Sequence, residues 1–215
     1  MFTPFQLKGV AKKIYSRNKQ LSLHERIVSV YRPLYAPLDA VLSQIPPQAR
    51  ILDVGCGTGT LLLTAQSLIG LGECYGFDSD ERSIEIAKSV NQFKNIHFCC
   101  AGSVPVSIIR SVDFISLVDV LHHIPRGEKQ NFYEHIFDSA SKDTTIIIKD
   151  LDPNPSWMAV ANRVTDFFST RSRVSYLGMN DIQEIMQRTG FSIKEAKRLA
   201  KHVWSHYIVV GQKNF

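Results

Sequence analysis

The sequence predicts an α/β fold: a mainly parallel sheet of seven strands with helices on both faces. Three observations predict it. Short apolar runs alternate with amphipathic stretches from Arg50 onward, the first run opens into a glycine-rich turn, and the last two runs are almost contiguous. In order along the chain, residues 4–19 set Phe5, Val10 and Ile14 among lysines, which suits a short amphipathic helix. A second helix is expected from residue 23 to about 43, bent at Pro33 and Pro37, before Pro46-Pro47 breaks the chain. Strands are then expected at 51–54, 74–77, 96–99, 114–118 and 144–148, and helices at 60–68, 81–93 and 128–140 between most of them. After a helix at 181–189, the runs 191–198 and 202–210 close the fold. Their connection is too short for a parallel crossover, so this last pair must be antiparallel.

A chain of 215 residues makes one generous domain or two small ones. With 44% apolar and 21% charged residues, the composition excludes a fibrous or wholly disordered chain. No stretch approaches the ~18 consecutive apolar residues of a membrane span, and the N-terminus lacks the continuous apolar core of a secretory signal. An intracellular, cytoplasmic protein is expected. Cys56, Cys74, Cys99 and Cys100 form no CxxC pair and have no matching histidine spacing. They read as reduced thiols and not as a zinc site.

Charge is distributed unevenly. Residues 1–32 carry seven Lys/Arg against one acid, residues 33–152 nine against fifteen, and residues 153–215 nine against four. Basic ends attract acidic membrane surfaces, nucleic acid or anionic substrates, and a plainly solvated surface accounts for them equally well. The expected organisation is a basic helical extension over residues 1–47 and a main domain over 48–215 with an insert at 150–178.

The most informative stretch is Ile51-Leu52-Asp53-Val54-Gly55-Cys56-Gly57-Thr58-Gly59. Glycines at 55, 57 and 59 let the backbone turn sharply and approach a ligand with no Cβ in the way. A glycine triplet alone is weak evidence, but Asp78 stands 23 residues after Gly55 at the end of the second strand. An acid there accepts hydrogen bonds from both ribose hydroxyls of a nucleoside, each worth roughly 1.5–3 kcal/mol. Capping the next helix falls to Asp80.

On these residues the sequence resembles the class I S-adenosylmethionine-dependent methyltransferases, strongly over residues 48–150 and by architecture beyond. The resemblance implies a Rossmann-like sheet of order 3-2-1-4-5-7-6 with the last strand antiparallel, and S-adenosyl-L-methionine as cofactor. It implies that Gly55, Cys56, Gly57 and Gly59 line the methionine and ribose, that Asp53 supports the amino group and that Asp78 holds the ribose. Ser79 then packs by the adenine, and Asp119 closes the same site from the fourth strand. Where the family often carries an acid reaching the adenine amino group, this chain has Ala101-Gly102-Ser103, leaving backbone or Ser103 for that contact. An acid at 53 also suits a cationic ammonium better than a pyrophosphate, which argues against a dinucleotide and a dehydrogenase.

Leu121-His122-His123 follows the fourth strand, where open α/β sheets place their ligands. A hydroxyl acceptor needs a base and a carboxylate does not. His122, His123 and Asp150 are the candidate catalytic residues, with Asp119, Lys149 and His206 near them, and loop histidines that merely shape a pocket are the alternative. Asp119 and Asp150 at adjacent strand ends also raise a divalent-ion site, but no third ligand is evident and none is expected. In the insert, Ser156 is placed to cap a helix carrying Trp157, Val160, Val164, Phe167 and Phe168. Trp157, Phe168 and Tyr176 suggest an apolar or aromatic acceptor. With Tyr31-Arg32-Pro33, Trp204 and His206, this insert is similar to a bacterial subgroup found beside aryl polyene and lipid-like pathways.

The expected function is methyl transfer to a small, apolar, aromatic or lipid-like acceptor, with peripheral contact of the basic N-terminus at the inner membrane surface. An RNA methyltransferase and a noncatalytic cofactor-binding subunit are the alternatives. The absence of a recognisable RNA-binding module argues against a nucleic-acid partner.

Overall fold

A computed structural model describes residues 2–16, 18–153, 176–201 and 204–214. Its seven-stranded sheet has the order β3-β2-β1-β4-β5-β7-β6. The strands are β1 (Ile51–Val54), β2 (Cys74–Asp78), β3 (Ile96–Cys100), β4 (Phe114–Val118), β5 (Thr145–Leu151), β6 (Phe191–Lys201) and β7 (Trp204–Lys213). The first five pair in parallel, and β7 runs antiparallel to both β5 and β6. The order is the one the resemblance implies, and the antiparallel closing pair is as the short connection predicts. The helix expected to begin at Ser156, with Trp157 and Phe168 on it, and His202 of the last strand lie outside the described residues.

Helices α1 (Pro4–Tyr15) and α2 (Leu23–Tyr35) form a hairpin, and α3 (Leu38–Leu42) follows. Both long helices start with reciprocal caps: Thr3 with Gln6, and Ser22 with Glu25. The first ends at Tyr15 instead of residue 19, because Asn18 turns the chain by accepting from the Gln20 N–H at 2.8 Å. Pro33 sits inside α2, whose last turn lacks one N–H, and the helix stops before Pro37. Leu7, Ala11 and Tyr15 are fully buried in one cluster with Ile51 of β1 and Leu62 of the helix that follows it. The hairpin is therefore packed into the main core.

Helices α4 (Thr60–Ile69) and α5 (Glu81–Val90) cover the sheet as expected, and Asp80 caps α5 by accepting from the Ser83 N–H at 3.0 Å. Three differences have physical causes. The six-residue helix α6 (Val106–Ser111) is too short to show a period in sequence. The helix expected at 128–140 is α7 (Lys129–Tyr133) running into a π-helical turn at Glu134–Asp138. Strand β5 does not stop at residue 148: it runs to Leu151 because Lys149, Asp150 and Leu151 find ladder partners in Ile208, Tyr207 and His206. Helix α8 (Met179–Arg188) precedes β6.

Gly59 shows how tightly the turn after β1 is built. Its φ is +80°, and a Cβ there would lie 2.6 Å from Phe98 Cζ. Gly59→Ala combines left-handed backbone strain with overpacking, together about 2–4 kcal/mol. Urea unfolding will show a lower midpoint with an unchanged slope.

Candidate functional site

The strand order reverses between β1 and β4, and a cleft opens there at the carboxyl ends of the strands. A cavity of about 790 Å³ occupies it, large enough for a nucleoside-sized ligand. Its floor is the glycine turn. Gly55 adopts φ +73°, and a Cβ at that position would stand 2.3 Å from Val120 Cγ2, so only glycine lets β1 and the loop after β4 close together. The Phe77 carbonyl accepts from the N–H groups of Gly55 and Cys56 at 2.7 and 3.0 Å, which ties the turn to β2. Asp78 is held from below by two backbone donors, Gly57 N–H at 2.7 Å and Asp80 N–H at 2.9 Å. Each carboxylate oxygen thus has one lone pair anchored, and the side chain lines the cavity.

Asp119 forms the opposite wall. It adopts a left-handed φ of +59°, uncommon outside glycine but tolerated by aspartate. Its Oδ1 takes Lys149 Nζ at 2.5 Å and its Oδ2 takes Arg32 Nη2 at 3.3 Å. Lys149 is fully buried, and Arg32 reaches in from α2 to line the cavity. Burial alone would raise the Asp119 carboxyl, but the two cations outweigh it and hold it far below the usual carboxylate range. Burial pushes the Lys149 ammonium down, an effect Asp119 partly offsets. Behind them His206 is pushed down to about 3 by burial and by the Lys149 charge, so its imidazole is neutral.

At the far end, Ser79, Gly102 and Ser103 line the cavity with Phe132 and Ile136. His135 also lines it from the π-helical turn. Its Nε2 donates to the Val104 carbonyl at 2.6 Å and lies 3.3 Å from Ser103 Oγ. A π turn of this kind re-aims side chains and recurs at functional sites. Nothing in the local sequence announces it.

Among the predicted residues, Gly55, Gly57, Asp78, Ser79, Gly102, Ser103, Asp119 and His123 line the cavity. Five do not. Cys56 turns inward, its Sγ only 2.9 Å from where a Cβ on Gly76 would sit, and Gly59 serves packing against Phe98. His122 is buried with its Nδ1 bonded to Asp150, and its ring lies 4.0 Å from that of His123 and stacks near Tyr176. Asp150 also accepts from the Leu151 N–H at 2.7 Å. Lys149 and Asp150, adjacent in β5, project to opposite faces. Asp119 follows Lys149 and Asp150 follows His122, so the two acids do not converge on an ion. Among the described residues no cluster of three or more His, Cys, Asp or Glu side chains could hold a metal.

Asp53 is the fifth. It is buried beneath the turn and accepts from Ser116 Oγ at 2.6 Å. Burial pushes its carboxyl up to about 7, against the opposing pull of Ser116 and Arg32. Because the folded value lies above the ordinary 3.8, the unfolded chain ionises first as pH rises, and stability falls between about pH 4 and 7. The full loss is on the order of 4 kcal/mol. Asp53→Asn keeps an acceptor for Ser116 and cannot ionise. Its stability advantage over the parent in urea unfolding will grow from pH 5 to pH 8.

A sheet of this order, with a glycine turn and a strand-2 acid meeting in one cavity, defines a nucleoside-binding class of α/β enzymes. The family model described as "Methyltransferase domain" matches residues 25–196. The chain belongs to that methyltransferase family, a family of S-adenosylmethionine-dependent enzymes. It is 30% identical over 104 residues to carboxy-S-adenosyl-L-methionine synthase 1 of Yersinia pseudotuberculosis, covering 45% of this chain and 43% of that protein. The chain thus spans less than half the length of this curated relative. Its fold is similar to magnesium protoporphyrin IX methyltransferase from Synechocystis, solved with bound S-adenosylhomocysteine (TM-score 0.66, 19% identity, 94% of this chain and 92% of that one). It is similar also to the cyclopropane synthase MmaA2 from Mycobacterium tuberculosis (TM-score 0.66, 12% identity, 98% and 93%).

Proposed function

We propose that this chain transfers a methyl group from S-adenosylmethionine to a small acceptor of apolar, aromatic or lipid-like character. The observation that carries the reading is the Asp78 carboxylate, anchored by two backbone N–H groups and facing a cavity floored by the glycine turn. The residues fit the cofactor. Asp78 meets the ribose hydroxyls, and Gly55 and Gly57 let the methionine end approach the backbone. Asp119 and Arg32 set a carboxylate beside a guanidinium, a match for the ammonium and carboxylate of an amino acid. Ser79, Gly102 and Ser103 would flank the adenine, with His135 beside Ser103.

When bound, the cofactor supplies a methyl group on a sulfonium that departs as a neutral thioether. What this chain contributes is position, since much of the acceleration comes from a near-attack geometry. For a hydroxyl acceptor, His123 on the cavity wall is the imidazole that takes the acceptor's proton, and the buried His122–Asp150 pair behind it sets its orientation; His135, also on the wall, is committed to the Val104 carbonyl. An apolar acceptor is supported by the walls at Val120, Ile124, Pro125 and Phe132, and by the names of the porphyrin methyltransferase and cyclopropane synthase. A cytoplasmic location with peripheral contact at the inner membrane surface belongs to the same reading. No helix among the described residues is long and apolar enough to cross a membrane.

The test is isothermal titration with S-adenosylhomocysteine, followed by labelled methyl transfer to a panel of apolar hydroxy and carboxy acids. Micromolar binding and turnover on the panel support the proposal. A folded protein that binds no S-adenosylhomocysteine overturns it.

A further inference from the structure

Amphipathic helices normally bury their apolar stripe, and the inner faces of α1 and α2 do so through Leu7, Ala11, Tyr15, Val30 and Pro33. The outer face of α2 is apolar as well. Leu23, Ile27 and Tyr31 follow at i, i+4 and i+8, which places them on one side of the helix. Leu23 is 70% exposed, and on α1 Phe5 is 76% exposed. Among the described residues six large apolar side chains are exposed, and five of them lie on this hairpin, so the exposure is concentrated and not scattered.

The hairpin's own unpaired charge around this patch is basic. Lys8, one turn after Phe5, sits 4.1 Å above the Tyr31 ring and joins the two helices' outer faces. Lys12, one turn further along α1, is exposed on the same side, and Lys13 is exposed on the flank of α1 toward α4 and α5. The single acid of residues 1–32, Glu25, is paired with Arg82 at 2.8 Å. Apolar side chains ringed by unneutralised lysines fit an interface that is both greasy and anionic. A second copy of the chain would bring two strongly basic faces together, which Coulomb repulsion disfavours.

We propose that the outer face of the hairpin is a docking surface for an anionic lipid bilayer. Leu23, Ile27 and Phe5 enter the acyl boundary, and Lys8, Lys12 and Lys13 meet the headgroups. The same hairpin holds the cofactor turn from its inner side. Tyr15 Oη donates to the Thr58 carbonyl at 2.9 Å, Ser29 Oγ lies 3.3 Å from Thr58 Oγ1, and Arg32 lines the cavity. Docking therefore sets the catalytic cavity beside the membrane, where a lipid-like acceptor is dissolved. The proposal deepens the membrane-contact part of the function above. It is tested apart from cofactor binding, so the two readings fail separately.

The experiment is co-sedimentation of the full chain with phosphatidylcholine vesicles containing about one-third phosphatidylglycerol, and with phosphatidylcholine alone. Binding is expected to the anionic vesicles and to be at least ~10-fold weaker without phosphatidylglycerol. The Leu23→Asp/Ile27→Asp variant will bind at least ~10-fold more weakly, with its urea midpoint and S-adenosylhomocysteine affinity unchanged. Replacing Lys8, Lys12 and Lys13 by Gln will cost roughly fivefold per residue. Failure of the parent to bind anionic vesicles overturns the proposal, and so does equal binding by the Asp variant. Sizing of the parent that shows a dimer dissolved by the same substitutions also overturns it, by assigning the face to a second copy.

Discussion

Asp78→Ala will weaken S-adenosylhomocysteine binding by roughly 10²–10⁴-fold while the protein stays folded. The magnitude follows from two hydrogen bonds between a carboxylate and ribose hydroxyls, at about 1.5–3 kcal/mol each. Stability will change much less. In the variant the N–H groups of Gly57 and Asp80 lose their acceptor, but the Asp78 side chain stands at the edge of an open cavity where water replaces it. Asp78→Asn is intermediate in both roles: it keeps an acceptor for Gly57 N–H but turns an amide N–H toward the Asp80 N–H and the ribose, so its affinity should fall between parent and alanine variant. Titration calorimetry beside thermal unfolding reads both quantities. An alanine variant that binds within about threefold of the parent would remove Asp78 from the site.

How much of this was legible in sequence depends on how local each signal is. The glycine turn and Asp78 could be read because one strand, one turn and the next strand end fall within 28 residues and obey fixed spacings. The antiparallel close followed from a connection too short to cross the sheet. By contrast, Arg32 is 87 residues from Asp119, and no period in α2 marks its inward turn. Lys149 reads as the end of β5 because a charged residue normally terminates an apolar run. It continues the strand because Asp119, just after β4, neutralises it. His135 is not legible in the sequence, because the π-helical turn that aims it looks like ordinary helix there. Asp53 stands in the expected motif, yet one pleat of β1 turns it under the loop toward Ser116 and away from the cavity.

Asp119→Asn is the substitution expected to cost the most stability, about 3–5 kcal/mol. Asparagine accepts the left-handed backbone at this position as readily as aspartate, so the change removes charge without adding strain. What remains is Lys149, fully buried, with its ion-pair partner gone and the Arg32 guanidinium nearby. Removing one member of a buried pair is costly chiefly because the other stays charged in a poor dielectric. The double variant Asp119→Asn/Lys149→Met should therefore be more stable than Asp119→Asn alone, recovering much of the loss. The recovery separates this account from a simple packing defect, in which the two changes would add. Chemical denaturation of the parent, both single variants and the double variant measures the coupling. Strict additivity would mean that Lys149 is neutralised by some other group and that the Asp119–Lys149 contact contributes little. The affinity for S-adenosylhomocysteine should not recover with stability, because Asp119 is proposed to face the cofactor's ammonium and Lys149 is not on the cavity wall. That divergence between a restored fold and a lost ligand contact distinguishes the two roles assigned to one carboxylate.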